Sequence, residues 1–132
     1  MKGYFSLVQF CPDIGRAEAA NIGVLLFAPE TRFLRVILCE SNSHVRRFFG
    51  RTAPGEQHLE AMKRAFAARL QSTGKDFRDV EDLRAFSQSL ANNIILTSPR
   101  WVKILGGPEH TLTALFTELV LDPESVEAAT TS

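Results

Sequence analysis

The side chains best suited to chemistry lie in one stretch, Cys11-Pro12-Asp13-Ile14-Gly15-Arg16-Ala17-Glu18-Ala19-Ala20-Asn21-Ile22-Gly23. A loop of turn-forming residues leads into Arg16, Glu18 and Asn21, and then into an apolar run. As a site, this group would use Arg16 to bind an anion and Glu18 as a base or ionic partner. Asn21 would orient an amide. As structure, Arg16 pairs with Glu18, Asn21 bonds loop backbone, and Gly23 lets a neighbour approach the strand.

Two further groups carry charge or aromatic surface. Arg46, Arg47 and Arg51 are the densest basic cluster, suited to phosphates or an acidic partner, or simply to water. Ser98-Pro99-Arg100-Trp101 joins a stiff backbone to a guanidinium and the only Trp. Arg and Trp are frequent interface anchors. The same pair is equally consistent with Trp101 at a sheet edge and Arg100 stacked over it.

Other chemistries lack their residues. There is no Walker A loop, no GxGxxG after a strand, no HExxH and no CxxC. Cys11 and Cys39 are isolated, and two such cysteines do not make a zinc site. His44, His58 and His110 have no spacing that pairs one with a cysteine. No catalytic triad, metal or cofactor is therefore expected. The acids at Glu56–Glu60 and Glu81-Asp82 suit helix N-termini better than a metal pair.

The chain has 132 residues, the size of one domain, with 45% hydrophobic and 23% charged residues. That composition excludes disorder, collagen and coiled coil for the whole chain. Lys plus Arg equals Asp plus Glu at 15 each, without the basic excess typical of proteins that bind DNA through phosphates. The charge is uneven. Residues 1–53 carry seven bases and four acids, whereas residues 54–132 carry eight bases and eleven acids. Met1-Lys2-Gly3 leads into an alternating segment rather than a signal peptide. The longest apolar run, Val24–Ala28, is far shorter than the roughly 20 residues of a membrane span. A cytoplasmic protein with reduced thiols and no membrane partner is the expectation.

These groups need a scaffold. β-forming residues predict strands at 4–10, 21–27 and 33–39. The second is apolar on both faces, as in a central strand covered on both sides. Short links, including Pro29-Glu30-Thr31-Arg32, predict an antiparallel meander. The period then lengthens to that of helices. Ser43 is the expected cap of a short helix over 44–49, closed by Gly50. Leu59, Met62, Phe66 and Leu70 predict a helix over 56–71, with Gly74 at its end. Asp79 and Asp82 resemble a capping box before the stripe Val80, Leu83, Phe86, Leu90 and Ile94. Strand-like pieces at 94–96 and 101–104 flank Pro99 and read as an edge strand or a break between two short ones. Pro108 opens a last helix with Leu112, Leu115, Phe116, Leu119 and Val120 on one face. The ten Phe sit mostly at core positions. The whole predicts an α+β domain over 1–122, an N-terminal antiparallel meander packed against C-terminal helices, followed by a tail at 123–132.

Tyr4 to Phe27, running through Arg16-Ala17-Glu18-Ala19-Ala20-Asn21-Ile22-Gly23, resembles the opening signature of a bacterial family catalogued as domain of unknown function 3037. Asn93-Ile94-Ile95-Leu96-Thr97-Ser98-Pro99-Arg100 and Leu115-Phe116-Thr117-Glu118-Leu119-Val120 resemble its second and third landmarks. Trp101 stands where the family often has another Pro. The resemblance implies a small bacterial protein with no established activity, often encoded beside a HipA-like kinase-fold protein. It carries over Arg16, Glu18, Asn21, Gly23, Pro99 and Arg100 as candidate positions.

Three function classes follow. The first is a non-catalytic accessory protein that binds a protein partner, such as a HipA-like one, through the basic N-terminal region and Arg100-Trp101. The second is a small enzyme acting on a phosphorylated or nucleotide ligand, with Arg16 holding the anion and Glu18 as general acid or base. The third, ranked last, is nucleic-acid binding through Arg46, Arg47 and Arg51. An edge strand near Trp101 also offers a surface on which two copies could pair as a homodimer.

Overall fold

The computed structural model describes residues 1–12, 18–90 and 93–120. Its element order is β1 (Lys2–Phe10), β2 (Ala20–Ala28), β3 (Phe33–Leu38), α1 (Ser43–Phe49), α2 (Glu56–Gly74), α3 (Val80–Gln88), β4 (Ile94–Leu96), β5 (Arg100–Lys103) and α4 (Pro108–Leu119). The protein is α+β, with N-terminal antiparallel strands packed against helices.

The meander is present. β1 pairs with β2, and β2 with β3, all antiparallel. Pro29–Thr31 forms a 3-10 turn, and Arg32 follows it with a left-handed φ of 54°. The second edge of β1 takes two short strands in succession. β4 covers Val8–Phe10 and β5 covers Lys2–Phe5, both antiparallel. Between them Thr97 N–H donates to the Leu7 carbonyl at 3.0 Å, and Leu7 N–H donates to Thr97 Oγ1 at 2.8 Å. Residues 94–103 are thus one edge interrupted at Ser98-Pro99, where Pro could not have donated to a ladder.

Helices cover both faces, as the apolar runs of β2 require. On one face Val8, Phe10, Leu25 and Phe27 pack with Val45, Leu59, Phe66, Leu83 and Phe86 from α1, α2 and α3. On the other, Val24, Leu26 and Ala28 pack with Ile104 and with Leu112 of α4. Phe27 and Phe77 meet edge to face at 5.9 Å, which ties the sheet to the loop before α3.

Several local expectations change. Ser43 is the first residue of α1 rather than its cap; the preceding Asn42 makes no cap bond because its side chain is turned to α2. The α2 helix runs on past Gln71 and ends at Gly74, the residue expected to end it. Ile94 belongs to β4, since α3 ends at Gln88. Phe48 is 59% exposed, unlike the core Phe residues. The Asp79 cap stands as expected: its Oδ1 accepts from Asp82 N–H at 3.1 Å. The expected turn at 13–15 and the tail at 123–132 lie outside the described residues.

Candidate functional site

Register places the first and second landmark stretches side by side. Phe5 stands opposite Arg100, and Tyr4 opposite Trp101. Side chains alternate along a strand, so Arg100 and Trp101 leave β5 on opposite faces. Phe5 and Leu7 belong to the cluster under α4. There they line a cavity of about 330 Å³ with Thr97, Ser98, Arg100 and Leu119. This small chamber takes walls from the first stretch, the second and the third. Its floor is apolar, and Arg100 is exposed.

The outer edge of β5 has no strand partner among the described residues. Ile104 N–H donates inward to the Met1 carbonyl at 2.9 Å. Antiparallel alternation therefore turns the N–H and C=O groups of Trp101 and Lys103 away from β1. Trp101 is 57% exposed on that edge and Leu105, just beyond it, 63%.

Asn21 sits at the start of β2 and joins three elements. Its Oδ1 accepts from Gln9 Nε2 at 2.9 Å, and its Nδ2 donates to the Leu119 carbonyl at 3.5 Å. Its own carbonyl lies 2.8 Å from His44 Nε2. Asn21 thus links β1, α4 and α1. Glu18 is exposed, and Arg16 lies outside the described residues, so their expected convergence has no geometry here. Gly23 is buried. A Cβ there would lie 2.5 Å from the Ile37 carbonyl oxygen and 2.6 Å from Leu38 Cδ2, so β3 can approach β2 only across a glycine.

Of the basic cluster, Arg46 is ion-paired to Glu56, while Arg47 and Arg51 are exposed. The Arg46 pair leads into a buried network. Asn42 Nδ2 donates to Glu56 Oε1 and Glu60 Oε1, each at 2.9 Å. Lys63, only 6% exposed, donates to the Cys39 carbonyl at 2.6 Å, Asn42 Oδ1 at 3.1 Å and Glu60 Oε1 at 3.2 Å. The Asn42 amide and the Lys63 ammonium hold the Glu60 carboxyl below its ordinary range. This network pins the end of β3, the start of α1 and the first turns of α2 together. Sequence reading missed Lys63, although Leu59, Lys63, Phe66 and Leu70 follow helical face spacing.

Among the described residues, no three His, Cys, Asp or Glu side chains gather as a metal site requires. Nor is any helix among them long and apolar enough to cross a membrane. Cys11 and Cys39 form no disulfide.

A model of the family described as protein of unknown function (DUF3037) matches residues 5–120. The chain belongs to the DUF3037 family. The match runs from Phe5, on the chamber floor, to Val120, next to Leu119 on its wall. All the chamber's residues therefore lie inside the DUF3037 match. No curated protein and no solved structure matches the chain.

Proposed function

We propose that this DUF3037 protein is a non-catalytic, cytoplasmic accessory protein that binds a protein partner through the β4–β5 edge. The observation that carries the reading is Trp101, a large aromatic side chain held out on a strand edge with open main-chain groups. An extended segment of a partner can add to such an edge as a further strand. Trp and Arg are suited to anchor it, since both are enriched among the side chains that dominate interface energetics, and the two-torsion Trp ring loses little freedom on docking. The partner we assign is a HipA-like kinase-fold protein, the association that the family resemblance implies. Arg100 and the chamber under α4 would receive a side chain from the added strand. Asn21 and Gly23 act as braces for the sheet in this reading rather than as contacts.

Co-expression of the two proteins followed by size exclusion tests this. A stable stoichiometric complex is expected. Separate elution, with the DUF3037 protein as a monomer, would remove the reading. Elution as a homodimer with no HipA-like protein bound would assign the edge to self-pairing instead.

A further inference from the structure

A second cavity lies away from the β5 edge, beside β3. It is a groove of about 790 Å³ between the Pro29–Arg32 turn, β3, the C-terminal half of α2 and the 75–78 loop. That volume falls in the range of small-molecule sites, about 300–1,000 Å³. Leu34, Val36, Leu70 and Phe77 give it an apolar floor with one half-buried aromatic ring. Its rim is basic. Arg32, Lys75 and Arg78 face a single acid, Asp76. Arg35 also borders the groove, but its guanidinium is paired with Glu109 of α4.

The rim cations differ in how they are held. Arg78 Nε donates to Asp82 Oδ2 at 3.2 Å, a solvent-screened surface pair that leaves other guanidinium donors open. The side chains of Arg32 and Lys75 have no hydrogen-bonding or ionic partner among the described residues. Arg32 also stands in left-handed backbone at φ 54°, where Gly or Asn would be less strained. A long cation is therefore kept at the mouth of the groove in a conformation that its own backbone disfavours.

We propose that this groove binds a nucleoside phosphate. The phosphates would lie against Arg32 and Lys75, with Arg78 contributing beside Asp82. The base would lie over the apolar floor near Phe77 and Leu34. The site is separate from the β5 edge, so it stands or falls independently of partner binding.

The test is an NMR titration of the full chain with ATP, GTP, CTP and UTP, alongside sodium pyrophosphate and free adenosine. Saturable shifts with at least one nucleotide are expected at the Arg32, Lys75 and Phe77 amides. Pyrophosphate and adenosine alone should bind at least tenfold more weakly. The double variant Arg32→Glu/Lys75→Glu should lose binding at least tenfold. Both side chains are exposed, so the variant should keep the wild-type spectrum elsewhere. Arg32→Gly removes the guanidinium and relaxes the left-handed backbone, so it should weaken nucleotide binding without lowering Tm. The proposal is overturned by the absence of shifts with all four nucleotides at millimolar concentration. Pyrophosphate binding as tightly as any nucleotide, or undiminished binding by the double variant, would overturn it equally.

Discussion

Tyr4 and Trp101 stand directly opposite each other across β1 and β5, yet Tyr4 is half-buried and Trp101 is 57% exposed. Residues opposite each other share a face of the sheet. The same row continues inward from Tyr4 to Phe27 and then to Leu34. It runs from an open edge at Trp101 to the floor of the basic groove at Leu34. Exposure falls from Trp101 to Phe27, which is 1% exposed, because α2 and the 75–78 loop cover the far end of this face while Trp101 stands at the sheet edge.

The close approach of β3 to Gly23 predicts a large effect from a single methyl. A Cβ at 23 meets a backbone oxygen at 2.5 Å, and a backbone atom cannot swing aside as a side-chain tip can. Gly23→Ala should lose about 1–3 kcal/mol, the usual range for overpacking. Urea denaturation checks this: the midpoint should fall with an unchanged m-value. An unchanged midpoint would mean that β2 and β3 part without cost.

Lys63 should prove structural. Lys63→Ala removes the ammonium that donates to Asn42 Oδ1, the Cys39 carbonyl and Glu60 Oε1. The expected loss is about 1–3 kcal/mol, the cost of unmatched buried polar groups. Lys63→Met restores bulk but not the donor, so it should recover only part. Thermal melts of the three proteins measure it, and full recovery by Met would show that packing alone accounts for the site.

Acid should destabilise the fold through two carboxyls. Glu60 is held below its ordinary 4.5, first by the Asn42 amide and then by Lys63. Asp82 is held below its ordinary 3.8 by the Arg78 side chain and main-chain N–H. A lowered folded pKa means that the unfolded chain takes up protons first. The stabilisation is therefore whole above the ordinary values and is lost as pH falls through the lowered ones. Stability should be flat in these two groups above pH about 5 and decline below it. Glu60→Gln should flatten part of that decline, which chemical denaturation at several pH values would detect.

Much of the fold was legible in the residues. Alternation marked β1 and β3, and the two-faced apolar run of β2 announced helices on both sides. Pro99 marked the interruption between β4 and β5. The pairing of both short strands with β1 was not legible, because alternation says which face is buried but not which strand lies alongside. Asn42 and Lys63 were hidden for a related reason. Polar types read as solvent-facing until a partner from another element is known, and these bonds join residues 39–42 to α2, at least 14 positions away in sequence. Ile94 sits four residues after Leu90 and so imitated a helix stripe that the chain had already left. Of the candidate site residues, Trp101 and Arg100 are exposed at the edge and Asn21 is a junction. Gly23 is a close contact and Arg46 is tied to Glu56.

The most direct test of the central claim is calorimetry of the purified chain against a HipA-like kinase-fold protein, comparing wild type with two edge variants. Trp101→Asp removes the exposed ring, and Lys103→Pro deletes an outward N–H while sparing the bonds to β1. Spectra and melts of each variant confirm that it folds. Micromolar or tighter binding is expected for wild type, with at least a tenfold loss in both variants. No heat with wild type at micromolar concentrations, or equal affinity in folded variants, would contradict it.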